Sequence, residues 1–490
     1  MEWSIDKKNQ RIENVSQAEM DALVAKVNHC SWRQTFHVQP VTGLLNDPNG
    51  FSFFNGEYHL FYQWHPLGPV HGLKYWYHVK SSDLVHWENV GIGLEPGDYF
   101  DSHGAYSGSA IAYKDELYLF YTGNTRDEDG IRHPYQCMAV MNQSGDIKKF
   151  SGPVIDHVPE GYTEHFRDPK VWKEGNTFYA VIGAQRTNNT GCVVLYQSTD
   201  LVDWTFAGEI QTHLDSFGYM WECPDYFTFQ DQGVLIFSPQ GLEAVEGVYQ
   251  NIYQSGYIIG EKLDLNERTF NHGDFHELDR GFDFYAPQTM LDPNGRRILI
   301  GWMGLPDIAY PTDKSGWAHC LTLPRELSIE NDKLIQKPIH ELQSLRQREY
   351  RVTDSISNEA KSYRDFLGET YELIVEFDDA DSSEFGIEFR ANKEEKTVIK
   401  YDTINKKITL DRTSSGEAVG VDYGTKRTCK LEAADQIKFH LFVDTSSVEI
   451  FVNDGEEVFT ARIFPSQDSQ DIRFFAKDGA VEMKAIKWDY

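Results

Sequence analysis

Short apolar runs recur at a regular distance along the first two thirds of the chain. Five of them are alike and bounded by turn residues: EYHLFYQW (57–64), ELYLFYTG (116–123), TFYAVIGA (177–184), GVLIFSPQ (233–240) and RRILIGWM (296–303). Runs of this length and composition predict β-strands. Their matching positions lie 59, 61, 56 and 64 residues apart, at Tyr58, Leu117, Phe178, Val234 and Ile298. Five such repeats predict a five-bladed β-propeller.

A second repeated motif supports this interpretation. SSDLVHW (81–87) returns as STDLVDW (198–204), 117 residues later and close to two periods. Evenly spaced strands alone occur in any all-β protein, so the spacing does not by itself identify a propeller. The recurrence of the same turn sequence at the same phase favours the propeller.

The pattern changes after about residue 340. GIEFRA (386–391), KTVIKYD (396–402) and IKFHLFVD (437–444) alternate apolar and polar residues with period two, and NDG (453–455) is a hairpin signal. Many short strands with one solvated face predict a β-sandwich.

Two segments outside these repeats have helical character, namely 17–29 near the start and 337–350 between the two strand-rich parts. The predicted class is therefore all-β, a five-bladed propeller followed by a C-terminal sandwich, with a short N-terminal helix. The predicted boundaries are a helical extension (1–31), the propeller (32–336), a linker (337–350) and the sandwich (351–490).

Composition narrows the function. The chain has 490 residues, 14% of them aromatic, and a formal net charge of −30. A nucleic-acid partner needs a basic face, so this charge argues against one. Aromatic side chains suit sites that hold the apolar faces of sugar rings. The N-terminal residues lack the apolar core of a signal peptide, and no apolar run approaches the roughly 18 residues of a membrane span. We therefore expect a cytoplasmic protein without membrane contact.

The cysteines are scattered and form no CxxC pair: Cys30, Cys137, Cys192, Cys223, Cys320 and Cys429. Such spacing favours reduced structural thiols over disulfides or a zinc site. We expect no metal and no cofactor.

Polar residues occupy one common phase, 9 to 13 residues before the matching position of each apolar run. They are Asp47 in NDPNG, Ser107 in YSGS, Asp168 in FRDP, Glu222 and Asp225 in WECPD, and Tyr285 and Gln288 in FYAPQ. Taken alone, NDPNG predicts a tight turn, RDP a surface ion pair and WECP an edge strand with one exposed acid. In a propeller, however, equivalent positions of the innermost strands converge on one axis. The repeat therefore predicts that three distant carboxylates share a pocket.

Paired carboxylates are the minimum for glycoside hydrolysis, one donating a proton and the other attacking or activating water. We expect the polar turn around Asp47 to keep it ionised, and the charge of Arg167 to keep Asp168 ionised. Glu222 lies between Trp221 and Cys223, an apolar sequence setting that predicts a protonated acid.

LLNDPNG, LFYQ, YSGS, FRDP and ECP, in this order, resemble glycoside hydrolase family 32, the invertase and levanase group; SSVEIFVNDGE (446–456) resembles its C-terminal sandwich. The resemblance implies a five-bladed propeller joined to a sandwich and retaining cleavage of β-fructofuranosides. It implies Asp47 as nucleophile, Glu222 as general acid/base and Asp168 as transition-state stabiliser. The expected substrate-binding residues are Asn46, Gln63, His71, Trp76, Tyr106, Ser107, Arg167, Tyr285 and Trp302.

Within this family, FHVQPVTGLLNDPNG, DSHGAYSGSA, RHP, TEHFRDP and GLPDIAYPTD are similar to members that act on sucrose 6-phosphate. Many other members carry Trp at the position of His71 and Gly at that of Tyr77. A phosphate needs cationic or N–H donors, and the segment 122–136 offers Arg126, Arg132 and His133, with His71 or Lys74 as further candidates. An equally supported alternative is that the two arginines pair with the acids at 127–129.

Other functions stay open from the sequence. The three carboxylates do not separate a sucrose-6-phosphate hydrolase from an invertase, a fructan hydrolase or a fructosyltransferase without phosphate preference. A non-catalytic carbohydrate-binding propeller is the further alternative, although it would be expected to lose a carboxylate. The expected partner is a small-molecule substrate, sucrose 6-phosphate or sucrose, and the chain is expected to be a monomer or a homodimer.

Overall fold

The computed structural model describes residues 3–431 and 436–490, and strands dominate it. Two α-helices precede the first strand, α1 (Ile5–Lys8) and α2 (Gln17–Asn28), with a 3₁₀ turn at Ile12–Asn14 between them. The second helix matches the predicted one. Its N-cap is Ser16, whose hydroxyl and backbone form a reciprocal capping box with Glu19.

Five sheets of four or more strands follow, one for each predicted repeat. From the innermost strand outward, the first sheet contains β1 (Gly43–Phe54), β2 (Glu57–His65), β3 (Tyr75–Ser81) and β4 (Glu88–Leu94), and the second contains β5 (Ala105–Tyr113), β6 (Glu116–Arg126), β7 (Arg132–Met141) and β8 (Ile147–Lys149). The third contains β9 (Tyr162–Glu174), β10 (Thr177–Arg186), β11 (Gly191–Ser198) and β12 (Trp204–Glu209), and the fourth contains β13 (Met220–Phe229), β14 (Gln232–Gln240), β15 (Gly256–Glu261) and β16 (His276–Glu277). The fifth contains β17 (Tyr285–Leu291), β18 (Arg297–Met303), β21 (Arg325–Glu330) and β22 (Lys333–Pro338); two short strands, β19 (Trp317–Ala318) and β20 (Cys320–Leu321), lie between β18 and β21 along the chain.

The five sheets form a closed ring of blades. The innermost strands β1, β5, β9, β13 and β17 contact one another in this order, and β17 contacts β1 again. After the fifth blade, β19 pairs in parallel with the edge of β1, Gly43 opposite Trp317. Separate apolar clusters fill the space between consecutive blades. The predicted propeller is confirmed, and the five apolar runs are its second strands.

The repeated motif SxDLVxW forms the same turn twice. In each copy the serine hydroxyl accepts from the leucine N–H, at 2.9 Å for Leu84 and 2.9 Å for Leu201. Both leucines adopt a positive φ, 67° and 70°. In each copy the tryptophan indole donates to the leucine carbonyl, at 3.0 Å and 3.1 Å. The repeated motif therefore corresponds to the same local turn structure in blades one and three.

The C-terminal part is a sandwich of two six-stranded antiparallel sheets. In spatial order the first sheet is β23 (Glu349–Ser357), β34 (Ala480–Asp489), β25 (Tyr371–Asp378), β30 (Gln436–Asp444), β31 (Ser447–Val452), β32 (Glu457–Arg462), and the second is β24 (Ala360–Leu367), β33 (Asp471–Lys477), β26 (Glu384–Ala391), β27 (Lys396–Asp402), β28 (Lys407–Ser414), β29 (Lys426–Lys430). One apolar cluster fills the space between the sheets. The NDG segment turns β31 into β32, as its sequence predicts.

The junction between the two parts differs from the predicted helical linker. Lys337 and Pro338 still belong to the last propeller strand, and only a 3₁₀ helix, His340–Leu345, precedes the first sandwich strand. Further 3₁₀ turns lie at Pro311–Ser315 and Val421–Tyr423. The sandwich packs against the fifth blade through buried charged groups, and Arg325 bonds there to both Asp279 and Glu449.

Candidate active site

Each innermost strand carries a bulge at the same level, and β1 and β9 carry a second irregularity elsewhere. At the shared level, two residues of the inner strand oppose one residue of the second strand, within Leu45–Pro48, Ala105–Gly108, Arg167–Lys170, Glu222–Asp225 and Tyr285–Gln288. Three bulge residues have a positive φ: Asp168 at 67°, Cys223 at 48° and Ala286 at 47°. A bulge re-aims side chains that would otherwise alternate across the sheet. NDPNG is thus a bulge within β1, and the predicted tight turn was wrong.

A cavity of about 770 Å³ lies over these bulges. Its lining residues come from all five blades and from the N-terminal segment: Ile5, Lys8, Asn9, Asn46, Asp47, Gln63, His71, Gly72, Lys74, His103, Tyr106, Asn124, Arg126, Asp127, Glu128, Gly130, Arg132, Arg167, Asp168, Glu222, Gln240, Tyr253, Tyr285, Trp302, Pro306 and Asp307. Asp47, Asp168 and Glu222 all lie in it, as the repeat phase predicts.

Both oxygens of Asp47 are held by neutral donors. Oδ1 accepts from Asn46 Nδ2 at 3.1 Å, and Oδ2 accepts from Gln63 Nε2 at 3.3 Å and from the hydroxyl of Ser107. Burial in the pocket raises the pKa of Asp47, an effect that the Ser107 hydroxyl opposes and the charge of Glu222 reinforces. The expected direction was wrong, because desolvation outweighs the polar neighbours in the unliganded site.

Asp168 is recessed and faces the other two acids. Its Oδ2 accepts from the backbone N–H of Cys223 at 3.0 Å. Burial raises the pKa of Asp168 to about 7; Arg167 lowers it, whereas Glu222 and Asp47 raise it. The expectation that Arg167 keeps this acid ionised was wrong, since desolvation dominates.

The guanidinium of Arg167 instead engages Glu222. Its Nε and Nη2 donate to Glu222 Oε1 at 3.0 Å and 2.7 Å. Glu222 Oε2 accepts from Tyr285 Oη at 2.6 Å and from Gln240 Nε2 at 2.8 Å. The expected apolar surroundings of Glu222 were also wrong. Its neighbour Trp221 points into the core and stacks on Phe237, with ring centroids 4.2 Å apart.

The other predicted sugar-binding residues divide into two groups. Asn46, Gln63, His71, Tyr106, Arg167, Tyr285 and Trp302 line the cavity. Trp76 and Ser107 do not. Trp76 is fully buried, and its indole donates to the Tyr106 carbonyl at 2.9 Å. Ser107 is also buried and bonds to Asp47 and Gln63. The structure therefore corrects both positions from cavity-facing residues to supports behind it.

The three phosphate candidates also separate. Arg126 and Arg132 line the cavity, whereas His133 lies outside it and pairs with Asp127 at 2.9 Å. Arg126 donates to the Gly130 carbonyl at 2.8 Å. The half-buried Arg132 guanidinium has no ion pair or side-chain hydrogen bond among residues 3–431 and 436–490. The alternative in which Arg126 and Arg132 pair with the acids at 127–129 is therefore wrong for the described residues, because neither arginine forms an ion pair among them.

Sequence reasoning missed several lining residues. Gln240 ends the fourth apolar run much as Gln63 stands near the end of the first, so a signal for it was present. Lys8 and Asn9 come from the N-terminal segment, which lies outside the repeat, so no sequence signal pointed to them. That segment is attached to blade one, since the N–H of Leu73 donates to the Lys8 carbonyl at 2.7 Å. Tyr253 belongs to an irregular connection in blade four.

Within residues 3–431 and 436–490, no helix is long and apolar enough to cross a membrane. Within the same residues, no group of three or more His, Cys, Asp or Glu side chains is arranged to hold a metal ion. All six cysteines are free thiols.

Comparison with known proteins agrees with this architecture. Residues 37–338 match the N-terminal domain of glycosyl hydrolases family 32, and residues 341–489 match its C-terminal domain. The chain is 49% identical over 488 residues to a sucrose-6-phosphate hydrolase of Staphylococcus xylosus, covering 100% of this chain and 98% of the relative.

Two solved structures are similar over almost the whole chain. A sucrose-6-phosphate hydrolase from Lactobacillus gasseri has a TM-score of 0.93 and 39% identity, covering 100% of this chain and 99% of its own. A family 32 β-fructofuranosidase from Bombyx mori has a TM-score of 0.82 and 32% identity, covering 98% and 99%. From the two domain matches and the full-length relatives, the chain belongs to glycoside hydrolase family 32.

Proposed function

We propose that this protein is a retaining β-fructofuranosidase that hydrolyses sucrose 6-phosphate to glucose 6-phosphate and fructose. The observation that carries the proposal is the convergence of Asp47, Asp168 and Glu222 on one cavity. Full-length similarity to sucrose-6-phosphate hydrolases supports the substrate. Sucrose itself is expected to be a weaker substrate, because it lacks the charged group.

In the first step Asp47 attacks the anomeric C2 of the fructosyl unit. The bond from C2 to the bridging oxygen breaks, and Glu222 gives its proton to that oxygen as glucose 6-phosphate leaves. A fructosyl ester on Asp47 remains. Before the attack, hydrogen bonds from Asn46, Gln63 and Ser107 already hold the Asp47 carboxylate in place, so it needs little reorientation.

In the second step water attacks C2 and passes a proton to Glu222, which releases fructose and frees Asp47. Glu222 must therefore hold a proton at one stage and accept one at the other. Its contact with the Tyr285 hydroxyl, at 2.6 Å, is compatible with both states. A hydroxyl donates to the ionised acid and can turn to accept from the protonated acid.

Asp168 is proposed to stabilise the transition state. Its Oδ2 is held by the Cys223 N–H, and Oδ1 has no hydrogen-bond partner among the described residues. That oxygen can accept from fructosyl hydroxyls, whose hydrogen bonds strengthen as the ring gains oxocarbenium character.

Arg132 is the proposed phosphate ligand, and Arg126 and Lys8 also line the cavity. A guanidinium without a protein partner is available for a bidentate contact with phosphate. Arg132→Ala should lower kcat/KM for sucrose 6-phosphate by about 10- to 150-fold, the loss of roughly 1.5–3 kcal/mol from a charged hydrogen bond. The value for sucrose should stay within about twofold.

His133→Ala is the matched control, because His133 pairs with Asp127 and lies outside the cavity. Steady-state rates on both substrates give the ratio for each variant. A ratio that is the same in wild type and Arg132→Ala would remove Arg132 from phosphate recognition.

The proposed function itself is tested by product analysis. The purified protein is incubated with sucrose 6-phosphate, sucrose, inulin and levan, and the sugars released are quantified. We expect the largest kcat/KM for sucrose 6-phosphate, with fructose released as the β-anomer at first. Failure to cleave any of the four would overturn the activity, and a preference for sucrose or a fructan would overturn the substrate.

A further inference from the structure

Lys74 is a buried lysine that lines the cavity beside Asn46 and the proposed nucleophile. It directly precedes β3, it is 3% exposed, and its carbonyl accepts from the Ala105 N–H at 2.9 Å. Its Nζ donates to Asn46 Oδ1 at 2.6 Å. No carboxylate lies within 4.0 Å of this ammonium in the described residues. A cation buried without an acidic partner costs stability and calls for an explanation.

The contact continues to Asp47 through one amide. Asn46 receives Lys74 on its oxygen and donates with its nitrogen to Asp47 Oδ1 at 3.1 Å. The ammonium therefore fixes which way the amide faces, because only a donor can lie at the Asn46 oxygen. An amide turned the other way would present its oxygen to the carboxylate and repel it.

The charges of the pocket give Lys74 a second role. The three acids face two buried cations, Arg167 and Lys74, and Arg167 is committed to Glu222. When the three acids together carry one proton, their remaining charge of −2 is balanced by the charges of Arg167 and Lys74. That is the state which the proposed mechanism needs, with Glu222 protonated and Asp47 and Asp168 ionised. Without the charge of Lys74, the same pocket would favour a second proton.

The neighbouring titratable groups leave this role to Lys74. Those that face its ammonium from adjacent elements are Asp47, His65, His71 and His319. Burial lowers the pKa of His65 to about 4 and that of His319 to about 3, so both are neutral near pH 6. Burial also lowers the pKa of Lys74, to about 7, while Asp47 raises it, so the ammonium is charged on the acidic side of neutrality.

We propose that Lys74 is a positioning residue for the nucleophile, whose ammonium orients the Asn46 amide and supplies the positive charge that allows Asp47 to ionise. The inference rests on the proposed function, since it assumes that ionised Asp47 attacks the substrate. It differs from phosphate binding, because the ammonium of Lys74, a residue that lines the cavity, already donates to Asn46.

The test compares pH profiles of kcat/KM for wild type, Lys74→Gln and Lys74→Met, with sucrose and with sucrose 6-phosphate. Loss of the cation disfavours the carboxylate anion, so the acidic limb should move to higher pH by roughly 1 unit or more in both variants. Below that limb the rate should fall about tenfold for each unit. Lys74→Gln keeps an N–H donor for Asn46, so its kcat at the optimum should exceed that of Lys74→Met.

Lys80→Met is the control, because Lys80 lies on β3, the strand that Lys74 directly precedes, and pairs with Glu57 outside the residues that line the cavity. Its acidic limb should match that of wild type. An unchanged limb in both Lys74 variants would overturn the inference, as would a loss confined to sucrose 6-phosphate. If Lys74→Met does not fold, the acidic limb of kcat/KM measured for Lys74→Gln tests the inference by itself. Wild-type protein inactive on both substrates would instead overturn the proposed function.

Discussion

Replacement of Asp47 by Asn should reduce kcat by roughly 10⁴-fold or more, the order expected when a covalent nucleophile is removed. An amide of the same shape keeps the position in the cavity but cannot form the fructosyl ester. KM should change much less, because binding contacts from the other blades remain. Steady-state kinetics with sucrose 6-phosphate measures both values.

The same variant should fold at least as well as wild type. Burial and the charge of Glu222 both raise the pKa of Asp47, so its ionised form is destabilised in the folded protein. A neutral amide removes that repulsion, and the midpoint of thermal unfolding should not fall. Asp203→Asn, an exposed acid on an outer turn of blade three, should leave kcat unchanged. Activity within tenfold of wild type in Asp47→Asn would contradict the nucleophile assignment.

Sequence periodicity was sufficient to predict the propeller, because a propeller repeats the same sheet of antiparallel strands five times. The apolar runs are the second strands, and polar residues at a common phase before them meet at the axis. The local reading of NDPNG as a turn failed. Its strand neighbours continue the hydrogen-bonded ladder on both sides, so the extra residue is absorbed as a bulge.

The electrostatics of the site could not be read from neighbours along the chain. Arg167 precedes Asp168, yet its guanidinium donates to Glu222 in the next blade. Trp221 flanks Glu222 but points into the core, because side chains alternate across a strand. Ionisation in this pocket depends on contacts between blades and on burial, and neither is encoded in local sequence. The N-terminal segment with Lys8 lies outside the repeat, so the periodicity did not predict that this segment lines the cavity.

The second large effect concerns stability at the junction between propeller and sandwich. Arg325 and its partners Glu449 and Asp279 have fully buried side chains. Arg325 Nη2 donates to Glu449 Oε2 at 2.6 Å, and Nη1 donates to Asp279 Oδ2 at 3.1 Å. Arg325→Met should lower the free energy of unfolding by about 3–5 kcal/mol, because it takes the paired cation from buried Asp279 and one of two cationic partners, the other being His37, from buried Glu449.

The control is Lys314→Met, which removes a solvent-exposed ion pair to Glu417 across the same two parts of the chain. Exposed pairs contribute little, so its effect should stay below about 1 kcal/mol. Denaturant unfolding monitored by tryptophan fluorescence and by circular dichroism measures both variants and shows whether the two parts unfold together. A loss below about 1 kcal/mol in Arg325→Met would contradict the assigned role.

The pH dependence of the deficit distinguishes lost charge compensation from lost packing. Arg325 helps to lower the pKa of Glu449, so the pair contributes stability above the unfolded pKa of that acid and loses it as pH falls through the folded value. In Arg325→Met the pKa of Glu449 should rise, and the deficit relative to wild type should shrink toward acidic pH. His37 also contacts Glu449, at 3.1 Å, and its own pKa is raised to about 9. The stability that His37 contributes is complete below its unfolded pKa and is lost as pH rises from there through the folded value of about 9, so a comparison made below pH 6.5 isolates the effect of Glu449. A deficit equal at about pH 4 and pH 6 would assign the loss to packing.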